Sequence, residues 1–228
     1  MVIKMSKIKL IGSLVLNTFI FVSVIVVATR LAINNPASYR MFTTQSNILC
    51  GVAAGIMIVF EILILIKKKS ELPLWVKTFK MVSVTGVSLT FLVVTFYLGF
   101  VAISQGYSYF ILFRGNNLFF HFLTPVAGII SFILFEGTTE IKYKYTFFNM
   151  VHMICYTIFY TINVCIHLKP DGTVERTYDW YYFVVGGIGT FPFVIIAMII
   201  FTYGIGFGLW IANKSIAKTN LFEARQMD

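Results

Sequence analysis

Charge is scarce in this chain. Only 12% of its 228 residues are Asp, Glu, Lys or Arg, while 58% are hydrophobic. A soluble domain carries about 25% charge, and a water-facing surface cannot be built from what is here. Proline is also rare, at 5 residues, so long helices run with few interruptions. The 3 cysteines, Cys50, Cys155 and Cys165, show no CxxC spacing or zinc pattern. They read as small packing residues within apolar runs. No phosphate loop accompanies the glycines of Gly186-Gly187-Ile188-Gly189, because the basic and hydroxyl residues it needs at fixed spacing are missing.

What the chain has in abundance is long apolar runs. About 20 residues cross a hydrocarbon core as a helix, and six stretches qualify: 10–33, 43–66, 81–103, 118–138, 146–167 and 182–212. The reading is an all-α membrane protein of six transmembrane helices in a single polytopic domain, 1–228. The N-terminal run continues past a signal-peptide h-region without a small-x-small cleavage site, so it reads as a retained helix. Asn34-Asn35-Pro36, Lys67-Lys68-Lys69, Gly115-Asn116-Asn117 and Lys169-Pro170-Asp171-Gly172 punctuate the runs. The last run is long enough to tilt or to bend at Pro192. No span as drawn contains a lysine, which argues against a retinal Schiff base.

The net charge of +9 does not imply nucleic acid, because the basic residues flank the runs. Thirteen Lys and Arg, beginning with Lys4 and ending with Arg225, fall on one side, and five fall on the other: Arg30, Arg40, Arg114, Lys169 and Arg176. The positive-inside rule puts the thirteen, and both termini, in the cytoplasm. Tyr107, Tyr109, Trp180, Tyr181 and Tyr182 would then form an outer interfacial belt.

Polar residues inside spans mark helix contacts or a buried site. Thr43 and Asn47 lie four residues apart on one face of the second span, and Gly51 continues that face for a close approach. His121 begins the fourth span. Pro125, four residues on, removes the amide that would bond the His121 carbonyl. Thr43 and His121 start their spans at the same side, hence at similar depth. A hydroxyl and an imidazole at one level are the minimum for nucleophilic catalysis. The fifth span carries a stripe of His152, Tyr156, Tyr160, Asn163 and His167, which should face the bundle interior or a wet cavity. His152 lies toward the cytoplasmic end and is a weaker partner for Thr43. A metal site on His152 and His167 is disfavoured, because their 15-residue separation is roughly 22 Å along a helix. Glu61 and Glu136, near the cytoplasmic ends of their spans, read as snorkelling or paired with Lys67–Lys69 and Lys142 rather than as a proton relay. Gly204 and Gly208 make a GxxxG pair suited to close helix packing.

The segment Phe42-Thr43-Thr44-Gln45-Ser46-Asn47, together with His121-(x)3-Pro125, resembles the androgen-induced protein and androgen-dependent TFPI-regulating protein family, especially its bacterial relatives. The likeness spans roughly residues 39–212. Animal members are multipass threonine hydrolases of fatty acid esters of hydroxy fatty acids. The resemblance implies Thr43 as nucleophile, His121 as base, and a bacterial cell membrane. Gln45 to Asn47 depart from the animal pattern, and the histidine-to-proline spacing is one residue shorter. The expected activity is hydrolysis of fatty-acyl esters, with Asn47, Gln45, Tyr156, Tyr160 and Asn163 on the substrate side. Membrane lipids and an acyl-lipid substrate are the expected partners, with no nucleic acid, no metal and no organic cofactor. The alternatives are a non-enzymatic transporter, sensor or assembly factor, and a membrane acyltransferase.

Overall fold

A computed structural model describes residues 7–184 and 187–226, with side chains as far as 219. Lys4 and Gly186 therefore lie outside the described residues, as does the side chain of Arg225. Among the described residues six helices are long and apolar enough to cross a membrane: α1 (Lys7–Asn34), α2 (Phe42–Leu65), α3 (Leu74–Ser104), α4 (Asn116–Phe135), α5 (Tyr143–Ile166) and α6 (Phe191–Thr219). The chain is a multi-pass helical membrane protein.

Each boundary has a local cause. Asn35 is forced out of helical geometry by Pro36 and sits at φ −154°, ψ 68°. The single turn after it is clipped back by the Tyr39 hydroxyl, which donates to the Ala28 carbonyl at 2.7 Å. α2 stops at a left-handed Lys67, φ 58°, and the amides of Lys68 and Lys69 close on the Leu63 carbonyl. α3 starts after Pro73, seven residues before the expected Met81. Lysines at 77 and 80 made that turn look like loop. Lys77 in fact pairs with Glu140 at 2.8 Å, and Lys80 is wholly buried. Lys80 is therefore a residue of a span, contrary to the sequence reading, and its charge is committed to internal partners.

α6 begins at Phe191 rather than Tyr182. Residues 187–190 make turns around Gly187, whose φ of 86° a residue with Cβ would resist. Pro192 falls in the first turn of α6, where its missing N–H costs nothing, so it starts the helix and does not bend its middle.

α1 packs on α2, α2 on α3, and α3 also meets α4, α5 and α6, which makes it the central helix. Its buried face is lined by Ser83, Thr85, Gly86, Ser88 and Thr90, small residues that let neighbours approach. Gly51 works as expected: a Cβ there would lie 2.6 Å from the Val24 side chain, so α1 and α2 touch only because it is absent. The GxxxG pair does not. Gly204 and Gly208 face open space, and the glycine that packs is Gly206, against Asn149. Cys155 and Cys165 are likewise exposed on the bundle surface, and only Cys50 is a buried packing residue.

Candidate active site around Thr43 and His121

The site begins with a proline. α4 opens on a helical turn and then widens into a π-turn at Phe119–Leu123, where the Thr124 amide bonds the Phe119 carbonyl five residues back. In that register the next carbonyl, Phe120, requires the amide of residue 125, which proline lacks. The vacancy thus falls on Phe120, one residue before the His121 carbonyl that α-helical spacing implied. It is filled from another helix: Asn47 Nδ2 donates to the Phe120 carbonyl at 3.0 Å and to the Thr43 carbonyl at 2.8 Å. Asn47 is fully buried. The turn that carries Thr43 is thereby fastened to the turn that carries His121.

His121 is half-buried, and its Nδ1 lies 2.7 Å from the Leu112 carbonyl. A carbonyl only accepts, so Nδ1 carries the proton. In the neutral ring Nε2 is then the lone-pair atom. This is the arrangement a general base needs, with a backbone oxygen holding the tautomer.

Thr43 is placed differently from the sequence expectation. Among the described residues no hydrogen bond joins it to His121. Its hydroxyl lies instead at the Tyr181 phenol, which also accepts the Phe42 amide at 2.9 Å and meets the Tyr156 hydroxyl. Burial pushes the Tyr181 phenol up from its ordinary pKa, so it stays protonated and can both donate and accept. Sequence reasoning put Tyr181 in an interfacial belt. It folds inward because Asp179, two residues earlier, is buried and accepts the amides of Phe183 and Val184 at 2.9 and 3.1 Å and the Tyr160 hydroxyl. Trp180 joins it by donating Nε1–H to the Tyr156 hydroxyl at 3.0 Å, beneath the Arg40 guanidinium at 4.8 Å.

The remaining candidates are already engaged. Gln45 Nε2 donates to the Tyr39 carbonyl at 3.1 Å. The Tyr156 hydroxyl donates to the Arg40 carbonyl at 3.1 Å. Asn163 donates to the Tyr178 carbonyl, and the His167 ring stacks on Tyr178 at 3.5 Å. The fifth-span stripe therefore does face inward, against the loop that precedes α6. His152 differs from its depth-based placement: its ring stacks on Phe42 at 4.8 Å, beside Thr43 in the chain. It also lines a cavity of about 680 Å³ between α2, α3 and α5, whose walls include Leu49, Trp75, Phe79, Val82 and Phe148. Among the described residues Nδ1 of His152 has no hydrogen-bond partner and is buried.

Among the described residues no cluster of His, Cys, Asp and Glu is arranged to hold a metal. No protein-family model, curated protein or solved structure matches the chain.

Proposed function

We propose that this chain is a membrane-embedded hydrolase of fatty-acyl esters, with Thr43 as nucleophile and His121 as general base. The observation that carries this reading is the Asn47 bridge, which fastens the two turns bearing these residues at 3.0 Å across helices. The tautomer set by the Leu112 carbonyl supports it, since Nε2 is left as the basic atom. The apolar cavity beside His152 supports an acyl chain as the bulk of the substrate. The motif residues resemble those of the androgen-induced protein family, and its bacterial members supply the proposed setting, a bacterial cell membrane with both termini in the cytoplasm.

The Thr43 hydroxyl exchanges the Tyr181 phenol for His121 Nε2 when substrate enters. Its Oγ attacks the ester carbonyl while Nε2 takes the proton. The tetrahedral intermediate expels the alkoxide, which receives that proton, and water then cleaves the acyl-threonine. Asn47 and Tyr160 hold their donors on protein acceptors, and Gln45 Nε2 gives one of its two hydrogens to the Tyr39 carbonyl. Tyr181 O–H, which meets the Thr43 hydroxyl, is the donor assigned to the developing oxyanion in this reading.

A lipophilic fluorophosphonate applied to purified protein in nanodiscs tests the assignment. Labelling is expected on Thr43, absent in Thr43→Ala and in His121→Ala. Folded protein that never labels overturns the reading and favours a non-enzymatic role. With labelled acyl lipid, release of free fatty acid indicates hydrolysis, whereas a new ester assigns the chain to acyl transfer.

A further inference from the structure

Far from Thr43, at the other end of the bundle, four helices converge on a buried polar cluster. α1 contributes Ser13 and Asn17, α2 Glu61, α3 Lys80, and the end of α4 Ser131 and Glu136. Ser13, Asn17, Glu61, Lys80 and Ser131 are 0% exposed and Glu136 is 6% exposed. Sequence reasoning paired the glutamates with surface lysines, but they meet each other and Lys80. Ser13, Glu61 and Lys80 each sit four to six residues inside a helix end, roughly 6–9 Å along the helix axis at helical rise.

The charge count comes out one proton short, and the Ser13 hydroxyl faces two carboxyl oxygens with a single hydrogen. Lys80 Nζ donates to Asn17 Oδ1 and lies 3.7 Å from Glu136 Oε1, so its charge is matched by Glu136. Among the described residues Lys80 from α3 and Glu136 from α4 are the charged groups that face Glu61, while α1 presents Ser13 and Asn17, so one ammonium stands against two carboxyl groups. The hydroxyl of Ser13 touches Glu61 Oε1 and lies 3.1 Å from Glu136 Oε1. Asn17 Nδ2 is 3.1 Å from the same hydroxyl and from both carboxyl oxygens. One hydroxyl proton cannot serve two carboxylates. Placing a proton on Glu61 resolves the shortfall: Glu61 donates to Ser13 Oγ, Ser13 donates to Glu136 Oε1, and Ser131 donates to the same oxygen. The cluster is then neutral. Separately, among the described residues Oε2 of both Glu61 and Glu136 is buried without a hydrogen-bond partner.

We propose that Glu61, bridged by Ser13 to the Glu136–Lys80 pair, is a proton-binding site within the membrane, holding one proton at neutral pH and exchanging it through Glu136. Glu136 is the one member with exposed surface, so the proton passes from it to Glu61 along the Ser13 hydroxyl. This site is separate from Thr43 and does not rest on the hydrolase reading.

Infrared difference spectroscopy of the full chain in nanodiscs tests it, with pH and H₂O–D₂O exchange as the perturbations. At neutral pH the folded protein is expected to show a protonated-carboxyl C=O band that shifts in D₂O. In Glu61→Gln that band is lost, and alkaline titration releases about one proton fewer per chain. Glu140→Gln, which alters only the Lys77 pair, leaves the band in place. Ser13→Ala moves the band without abolishing it, which keeps the test decisive if Glu61→Gln fails to fold. Absence of the band in folded wild type, or its persistence in Glu61→Gln, overturns the proposal. Bleaching by sodium but not by choline also overturns it, in favour of a cation site.

Discussion

Replacing Asn47 with leucine isolates one hydrogen bond on which the proposed site is built. The substitution keeps side-chain size, removes the donor to the Phe120 carbonyl at 3.0 Å, and loses a second contact to Thr43. The Thr43 carbonyl belongs to the α2 ladder and loses little. The Phe120 carbonyl has no other donor in the π register, because residue 125 is proline. Orphaning a buried polar group costs about 1–3 kcal/mol. Interhelical hydrogen bonds measured in bilayers average about 0.6 and reach about 1.7 kcal/mol. These ranges overlap, and a loss of about 1–2 kcal/mol is expected, read by denaturant-induced unfolding in detergent or bicelles. Pro125→Ala supplies the missing amide. In that background Asn47→Leu should cost about 1 kcal/mol less, because the new amide N–H takes over the Phe120 carbonyl. Equal costs in both backgrounds would show that Asn47 does not fill a proline-made vacancy, and the link between the Thr43 and His121 turns would fall with it.

Three other outcomes follow from contacts described above. Gly51→Leu drives a side chain into Val24 and should destabilise by about 1–3 kcal/mol, while Gly204→Leu, facing open space, should leave thermal stability unchanged. Asp179→Asn replaces a carboxylate that accepts two amides and a phenol. A loss of about 1.5–3 kcal/mol is expected, localised to 174–190 by faster amide exchange there than in α3. Lys80→Met removes the buried cation beside Glu136 and should cost about 3–5 kcal/mol, with Glu136→Gln added to it recovering much of the loss. A Lys80→Met protein as stable as wild type would mean that the pair contributes nothing.

The six spans were legible because a bilayer demands continuous apolar sequence, and both the number of helices and most ends follow from hydropathy and turn residues. Lysine defeated that logic at α3. Hydropathy assigns Lys80 to water, yet it is buried because Asn17 and Glu136, 63 residues before it and 56 after it, are brought to its ammonium by the bundle. Pro125 was legible as a disturbance, but the π-turn moved the freed carbonyl by one residue, and no sequence pattern announces that register. The Gln45, Asn47 and Tyr160 side chains were legible as polar groups in apolar surroundings. Which acceptor each one finds was not, because the partners lie on backbone or on distant loops. Tyr181 was missed for the same reason. It lies 139 residues from the Phe42 amide it receives, and as one aromatic in the run Asp179-Trp180-Tyr181-Tyr182 it looks no different from an interfacial anchor.

The position of Lys80 also constrains how the protein can be made. The ribosome delivers α3 to the membrane before it delivers Glu136, the residue whose charge Lys80 answers. Until α4 emerges, the carboxyl group that faces that ammonium is Glu61 of α2, so the first three helices hold Lys80 without the partner it has in the finished bundle. A chain truncated after Ser104 should therefore be a substrate for membrane quality-control proteases, and a helix carrying Glu136 supplied as a separate polypeptide should protect it.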